Sequence, residues 1–257
     1  MAASRAAQEA GVMLRGSGEE SRDIRFKSPI DLVTNFDKRS QNIILGHLSA
    51  CFPEHDILAE EDEDLRQGSE FRWIVDPIDG TTNFAHGFPI FCVSIALEYR
   101  RDIVLGLVYD PMREEEFSAI RGEGAYLNGK RVRVSSTAEL GKSLLATGFP
   151  YDIRDSEVNN LDHFVNFAVR AQAIRRCGSA ALDLCYIACG RFDGFWELKL
   201  HPWDVAAGSL IVSEAGGRIT DFRNGPFDVF GAEALASNGV IHDQMEDILR
   251  RGRHPVV

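Results

Sequence analysis

The stretch Trp73-Ile-Val-Asp-Pro-Ile-Asp-Gly-Thr-Thr-Asn-Phe84 decides the fold and the chemistry of this 257-residue chain. An apolar run typical of a strand delivers two carboxylates, Asp76 and Asp79, into a turn that continues with a glycine and two threonines. Pro77 presets its own φ angle, and Gly80 lets the backbone approach a ligand closely. The stretch therefore predicts a tight turn from a strand into a helix, whose first backbone N–H groups attract an anion.

The same stretch predicts metal binding. Mg²⁺ prefers oxygen ligands and is typically held by a few carboxylates together with substrate phosphate, rather than by a complete protein cage. An ordinary strand-to-helix turn capped by an aspartate is the alternative. Two acids, a proline and two threonines in one turn favour a site for metal and phosphate.

Three further acidic positions fit this site. Glu60 follows a short apolar run, although the acids that come after it at 61–64 are typical of a solvated face. Asp37 lies near the start of a predicted helix, where the helix dipole favours an acid. Asp204 opens an apolar helical pattern and, taken alone, is a good N-cap.

These motifs, with Gly178-Ser-Ala-Ala181 and the stretch from Trp203 to Gly217, resemble the inositol monophosphatase family of Mg²⁺-dependent, lithium-sensitive phosphatases. The resemblance spans nearly the whole chain, and the segments 109–113, 146–150 and 175–183 look most like the bacterial members. Ala59 departs from the glycine of many relatives without affecting the chemistry. The resemblance implies a mixed α+β (α/β) fold, namely the five-layer αβαβα sandwich of the sugar phosphatases.

The resemblance also implies two to three Mg²⁺ ions in the site. Glu60, Asp76 and the backbone carbonyl of Ile78 would hold the first ion. Asp76, Asp79 and Asp204 would hold the second, and Glu60 with waters a looser third. Two neighbouring metals can stabilise both the attacking and the leaving oxygen of an in-line displacement, which a phosphate monoester needs.

The remaining roles are implied in the same way. Thr81 and Asp37 would orient and deprotonate the attacking water, which requires hydrogen-bond reach. Glu197 would bind substrate hydroxyls, although it also reads as the end of a strand. The substrate-binding set that follows from the resemblance is Asp79, Gly80, Thr81, Gly178, Ser179, Ala180, Glu197 and Asp204.

The basic side chains near Glu197 are compatible with substrates that carry one phosphate or two. Arg175, Arg176 and Lys199 are either solvated or receive a second phosphate, as in bisphosphatase relatives. The first candidate substrate is myo-inositol 1-phosphate, among small polyol and sugar monophosphates. Fructose-1,6-bisphosphate, histidinol phosphate and nucleotide 3′-phosphates are family alternatives, and a regulatory protein-binding role with incidental catalysis is a hypothesis of another class.

Composition and charge disfavour nucleic-acid binding and membrane association. The net charge is −11 with a pI near 5.1, and no basic stripe interleaved with aromatics appears, which disfavours nucleic-acid binding. The chain has no run of 18 apolar residues, and its first 14 residues lack the apolar core of a secretory signal. We therefore expect no membrane association and a cytoplasmic location, and from the resemblance a homodimer.

Periodicity predicts one domain over residues 1–257 with two lobes. The first lobe, about 1–142, has helices at 2–16 and 37–51, then a largely antiparallel sheet with a turn at Asn128-Gly129. Its strands are predicted near 56–60, 72–76, 90–98, 103–109, 115–120 and 131–134. The second lobe, about 143–257, is a sheet covered on both sides by helices near 156–171, 179–189, 204–215 and 240–250. The site would lie where the lobes meet.

Overall fold

Helices and strands alternate around two large β-sheets in a computed structural model that describes residues 2–17, 24–28, 31–61 and 64–251. The predicted acid run at 61–64 is only partly covered, because Asp62 and Glu63 lie outside these residues. The helices are α1 (Ala2–Arg15), α2 (Asn35–Cys51), α3 (Thr81–Ala85), α4 (Leu161–Ala168), α5 (Ala180–Ala188), α6 (Pro202–Glu214) and α7 (His242–Leu249), with a 3-10 turn at Leu140–Lys142.

The larger sheet contains seven described strands in the order β3-β4-β5-β6-β7-β8-β9. All neighbouring pairs are antiparallel except β3 and β4, which are parallel. This confirms the largely antiparallel sheet. The strands are β3 (Asp56–Ala59), β4 (Phe71–Asp79), β5 (Cys92–Tyr99), β6 (Asp102–Asp110), β7 (Glu115–Ile120), β8 (Gly124–Leu127) and β9 (Lys130–Arg131).

The smaller sheet has the order β11-β10-β12-β14-β13 in the described part of the chain. Its β10 pairs in parallel with both β11 and β12, whereas β14 is antiparallel to β12 and β13, so the sheet is mixed. The strands are β10 (Leu144–Thr147), β11 (Ala173–Arg175), β12 (Gly194–Leu198), β13 (Arg218–Thr220) and β14 (Glu233–Ser237). A separate hairpin of β1 (Ile24–Ser28) and β2 (Asp31–Thr34), which the sequence did not predict, precedes α2.

The helices complete five layers. Helices α1 and α2 pack on one face of the larger sheet, α5 and α6 lie between the two sheets, and α4 and α7 cover the outer face of the smaller sheet. The αβαβα sandwich implied by the resemblance is confirmed.

Helix α6 approaches the larger sheet closely because glycines remove side chains at the contacts. A Cβ on Gly106 of β6 would lie 2.6 Å from the carbonyl oxygen of Ala207. A Cβ on Gly208 would lie 2.7 Å from Leu184 of α5. These approaches fix α6, and with it Asp204, against the sheet that carries Asp76.

Two predicted elements are wrong in their bounds. The strand near 131–134 is replaced by β8 and β9, which meet at the predicted Asn128-Gly129 turn, where both φ angles are positive at 48° and 72°. Beyond β9, the Val132 N–H bonds to Ala125 and the Val134 N–H to Ala215, so the segment forms no ladder with one partner. The helix near 156–171 begins only at Leu161, because the preceding Asn160 is left-handed with φ 72°.

Candidate active site

The end of β4 carries the predicted turn. Asp79 is the last residue of the strand, and Gly80 follows with φ 98° as the N-cap of α3. A Cβ at Gly80 would lie 2.9 Å from the Ile90 carbonyl oxygen, and a positive φ is costly for residues with a side chain. Only glycine therefore fits at this point, because the turn packs against a neighbouring backbone, whereas the sequence predicted a close approach to a ligand.

Three carboxylates meet beside this turn. Asp76, Asp79 and Asp204 each offer an oxygen atom, and these atoms lie within 4.8 Å of one another. Asp76 is 2% exposed. Burial, and then the negative charges of Glu60, Asp79 and Asp204, raises the pKa of Asp76 well above its usual value. A cation at the cluster would relieve this repulsion, and carboxylate oxygens are the ligands that Mg²⁺ prefers.

The start of helix α5, in the second half of the chain, forms hydrogen bonds to Asp79 of β4. Asp79 Oδ2 accepts the Ser179 hydroxyl at 2.7 Å and the Ala181 N–H at 2.7 Å. Burial raises the pKa of Asp79, while the hydrogen bonds from Ser179 and Ala181 oppose the shift. Ser179 is also the N-cap of α5, since its hydroxyl accepts the Leu182 N–H. One serine thus starts a helix and orients a carboxylate of the cluster.

Asp204 occupies a different position in its helix from the one predicted. It stands at the third position of α6, after Pro202, and His201 is the N-cap. Asp204 Oδ2 accepts the His201 N–H at 2.7 Å, which completes a capping box. The Ser94 hydroxyl donates to the Trp203 carbonyl at 3.2 Å and ties the helix start to β5. The N-cap assignment is therefore wrong, although the acid does stabilise the helix start.

Thr81 and Asp37 form the predicted pair. The Thr81 hydroxyl lies 3.1 Å from Asp37 Oδ1 and 2.9 Å from the Ile78 carbonyl, so it donates to one of these acceptors at a time. Asp37 Oδ2 accepts both the N–H and the hydroxyl of Thr34, each at 2.7 Å. Burial raises the pKa of Asp37, and the Thr34 hydrogen bonds oppose the shift. The carboxylate is fully buried and fixed at the start of α2.

One cavity between the two sheets contains nearly all of the predicted residues. Asp37 is not among the described lining residues and contacts the cavity through Thr81. The predicted residues that do line the cavity are Glu60, Asp76, Ile78, Asp79, Gly80, Thr81, Gly178, Ser179, Ala180, Glu197 and Asp204.

Glu197 lines the cavity from β12 of the smaller sheet, whereas the turn at Gly80 follows β4 of the larger sheet. It is the fourth residue of β12 and is 9% exposed. Burial raises the pKa of Glu197 well above its usual value, and the positive charge of Arg176 opposes the shift. Of the nearby cations, Arg176 and Lys199 line the cavity, whereas Arg175 is exposed. Lys199 also forms an ion pair with Asp152 at 2.5 Å.

Sequence reasoning gave no role to Asp183. Its side chain lines the cavity and is 1% exposed, and Oδ1 has no hydrogen-bond partner among the described residues. Burial raises the pKa of Asp183 well above its usual value. Its position four residues after Ser179, in the first turn of a helix, was the available signal. An acid there reads as a dipole contact until tertiary packing shows that it is buried.

Within the described ranges, no helix combines the length and the apolar character needed to cross a bilayer.

Comparison with known proteins gives a consistent result. The chain matches the inositol monophosphatase family over residues 1–252. An inositol-1-monophosphatase of Synechocystis sp. is 46% identical over 220 residues, covering 85% of this chain and 77% of that protein. A Nus factor SuhB of Pseudomonas aeruginosa is 44% identical over 227 residues, covering 85% of this chain and 83% of that protein.

Solved structures agree in fold. An inositol monophosphatase from Anabaena (Nostoc) sp. PCC 7120 matches with a TM-score of 0.91 at 42% identity, covering 99% of this chain and 96% of that one. A more distant structure, of an IMPase/NADP phosphatase complexed with Mg²⁺ and phosphate, matches with a TM-score of 0.83 at 29% identity. The latter match covers 95% of this chain and 92% of the other.

Proposed function

The chain belongs to the inositol monophosphatase family and is a phosphomonoester hydrolase, and on that premise we propose that it cleaves myo-inositol 1-phosphate to inositol and phosphate. The observation that carries this proposal is the cluster of Asp76, Asp79 and Asp204, whose oxygen atoms lie within 4.8 Å of one another. The cluster shares its cavity with a buried carboxyl group suited to a polyol, Glu197.

The metal of the site is proposed to be Mg²⁺. The donor set fits it, because the clustered atoms are carboxylate oxygens, and burial together with the neighbouring negative charges raises the pKa of Asp76. Asp76, Asp79 and Asp204 would hold one ion, and Glu60, Asp76 and the Ile78 carbonyl another, with Glu60 contributing to a third. When bound, Mg²⁺ supplies positive charge that offsets the phosphate and makes water a stronger nucleophile.

The protein's own groups orient the attacking water. The Thr81 hydroxyl accepts a hydrogen bond from the water and passes its own proton toward Asp37 Oδ1, 3.1 Å away. Burial raises the pKa of Asp37, which makes its carboxylate a better proton acceptor at neutral pH. The backbone N–H groups of Gly80 and Thr81 donate to phosphate oxygens at the start of α3.

The leaving group is recognised on the wall of the cavity that contains Glu197. Glu197 accepts hydrogen bonds from substrate hydroxyls, and Gly178, Ser179 and Ala180 border the same space. A buried polar group that a substrate leaves unpaired costs binding free energy, so such a wall favours a polyol over an apolar alkyl group. The hydroxyl groups of myo-inositol 1-phosphate supply the hydrogen-bond donors that Glu197 needs.

The remaining expectations stay predictions. They are the single domain over 1–257 with lobes at 1–142 and 143–257, the homodimer, and the cytoplasmic location. The regulatory alternative has weak support, namely the name of the Pseudomonas relative. The complete carboxylate cluster favours catalysis.

Phosphate release from a panel of phosphomonoesters in the presence of Mg²⁺ tests the proposal. The panel contains myo-inositol 1-phosphate, fructose-1,6-bisphosphate, histidinol phosphate, a nucleotide 3′-phosphate and propyl phosphate. We expect the highest kcat/KM for the inositol ester. A higher kcat/KM for another ester would identify that ester as the preferred substrate in place of myo-inositol 1-phosphate. No turnover of any ester would favour the regulatory alternative.

A further inference from the structure

The side chain of Asn160 is unusual for its position at the start of a helix. Asn160 is the N-cap of α4, yet its side chain makes no capping hydrogen bond to that helix. It is fully buried and left-handed, with φ 72°. The first N–H group of α4, that of Leu161, bonds instead to Asn159 Oδ1 at 3.2 Å, and a left-handed backbone at a residue other than glycine is costly. A residue whose conformation and hydrogen bonds do not stabilise its own helix is expected where it stabilises a functional site instead.

The amide of Asn160 instead joins the ends of two neighbouring strands. Its Nδ2 donates to the Gly148 carbonyl at 2.6 Å and to Thr147 Oγ1 at 3.0 Å, both at the end of β10. Its Oδ1 accepts the indole N–H of Trp196 in β12 at 2.9 Å. The Thr147 hydroxyl completes the link by donating to the Trp196 carbonyl at 2.6 Å. All donors and acceptors of the amide side chain except one lone pair are thus used.

This link ends at Glu197. Trp196 stacks on Phe167 of α4 with ring centroids 4.0 Å apart, on the outer face of the smaller sheet. Because side chains alternate along a strand, the next residue, Glu197, points to the opposite face, where it lines the catalytic cavity. A Cβ on Gly148 would overlap the Glu197 carboxylate. The backbone of Gly148 therefore lies against this carboxylate, while Asn160 holds the Gly148 carbonyl.

We propose that Asn160 is a positioning residue for substrate specificity, which sets the Glu197 carboxylate through the Gly148 backbone and the Trp196 indole. The inference rests on the proposed role of Glu197 toward substrate hydroxyls. Asn160 does not line the cavity among the described residues and acts only through its neighbours. Its effect falls on the leaving group, because the three links lie on the Glu197 wall and not at the carboxylate cluster.

Two variants test this: one removes the Asn160 network, and the other tests the premise that the position of the Glu197 carboxylate decides specificity. Asn160→Gly removes the three side-chain hydrogen bonds without backbone strain, since glycine accepts a positive φ. Gly148→Ala leaves the network in place but pushes directly on the Glu197 carboxylate. The Gly148 backbone lies outside the positive-φ region and accommodates alanine. Ser237→Ala serves as the matched control, because it removes a buried hydroxyl bonded to His242 at 2.9 Å in the same sheet.

The measurement is kcat and KM for myo-inositol 1-phosphate and for propyl phosphate, which has no hydroxyl groups for Glu197. We expect both test variants to lose roughly tenfold to a hundredfold in kcat/KM on the inositol ester, chiefly through KM, because a small misplacement of a binding group is costly. Activity on propyl phosphate should change less than about twofold, as should both activities of the control.

The outcomes separate the two proposals. Absence of all phosphatase activity in the unmodified protein, or equal kcat/KM for both esters, would contradict the proposed function and this inference with it. A preference for the inositol ester that survives in Gly148→Ala and in folded Asn160→Gly would overturn the positioning role alone. Equal losses on both esters would also overturn it. If Asn160→Gly does not fold, Asn160→Asp decides, because it keeps the oxygen that accepts the Trp196 indole N–H and loses both Nδ2 donors to Thr147 and Gly148.

Discussion

The Ser179 hydroxyl donates to Asp79 Oδ2 at 2.7 Å, so the N-cap of a helix in the second half of the chain fixes a carboxylate from the first half. The Ala181 N–H reaches the same oxygen at the same distance. The carboxylate cluster is therefore assembled by tertiary structure, and its geometry depends on how α5 begins.

Ser179→Ala should weaken Mg²⁺ binding at the carboxylate cluster and raise the Mg²⁺ concentration needed for half-maximal activity by roughly tenfold. The reason is that a hydrogen bond to a charged group contributes about 1.5–3 kcal/mol. Loss of the N-cap should lower the free energy of unfolding by about 1 kcal/mol. Mg²⁺ titrations of phosphate release measure the first effect and urea unfolding the second. Ser209→Ala is the control, because its hydroxyl bonds to the Ala206 carbonyl. An unchanged Mg²⁺ requirement in Ser179→Ala would show that Asp79 does not depend on Ser179.

Asp204→Asn should abolish phosphatase activity and leave the fold nearly intact. The variant removes one negative ligand from the cluster, but the neutral amide oxygen still accepts the His201 N–H that closes the capping box. Circular dichroism and phosphate release measure the two effects. A folded variant with near-normal turnover at low Mg²⁺ would refute Asp204 as a ligand.

Glu197→Gln should change substrate choice more than chemistry. Glu197 is not part of the carboxylate cluster, and an amide alters the hydrogen-bonding pattern of the wall without removing its bulk. The quantity to compare is kcat/KM for myo-inositol 1-phosphate against propyl phosphate. We expect a loss confined to the inositol ester, and equal losses on both esters would contradict the role.

His242 should make stability depend on pH. Its ring bridges Thr220 Oγ1 and Ser237 Oγ, each at 2.9 Å. Burial, and then the charge of Arg218, lowers the pKa of His242 to about 4, whereas Asp243 opposes the shift. The folded pKa lies below the usual value, so the unfolded chain takes up this proton first. The stabilisation is complete above about pH 6.5 and is lost as pH falls toward 4.

The His242 contribution is at most roughly 3 kcal/mol, and it is isolated by comparison with His242→Gln. Urea unfolding at several pH values between 4 and 7 gives the free energy of unfolding of both proteins. The difference between them should shrink as pH falls, because His242 loses its contribution while the titration of all other groups is common to both proteins and cancels. A difference independent of pH would contradict the lowered pKa of His242.

The sequence predicted the larger sheet well because its strands are apolar runs separated by short turns, and the run Trp73-Ile-Val75 of β4 is one of them. It placed the start of α4 too early, because the apolar residues Val158, Leu161 and Val165 recur at helical spacing although the left-handed Asn160 interrupts them. Sequence cannot show that a side chain such as that of Asn160 will form hydrogen bonds to neighbouring strands and not to its own helix.

The candidate site likewise contains residues that the sequence could predict and residues that it could not. Asp76 and Asp79 could be predicted because one short motif carries both, whereas Asp204 joins them through the fold. Asp183 could not be predicted, because its significance lies in burial by tertiary packing. Asp204 was expected at the N-cap but stands two residues beyond Pro202, since proline takes the first helical position.

The most direct test of the central claim is an anomalous-scattering map from crystals grown with Mn²⁺ and phosphate, because Mn²⁺ accepts the oxygen ligands of Mg²⁺ and is visible by its anomalous signal. We predict at least one strong peak bonded to carboxylate oxygens of Asp76, Asp79 and Asp204, with phosphate beside the N–H groups of Gly80 and Thr81. Mn²⁺ bound elsewhere while these three carboxylates hold none would contradict the claim that this cluster is the catalytic metal site.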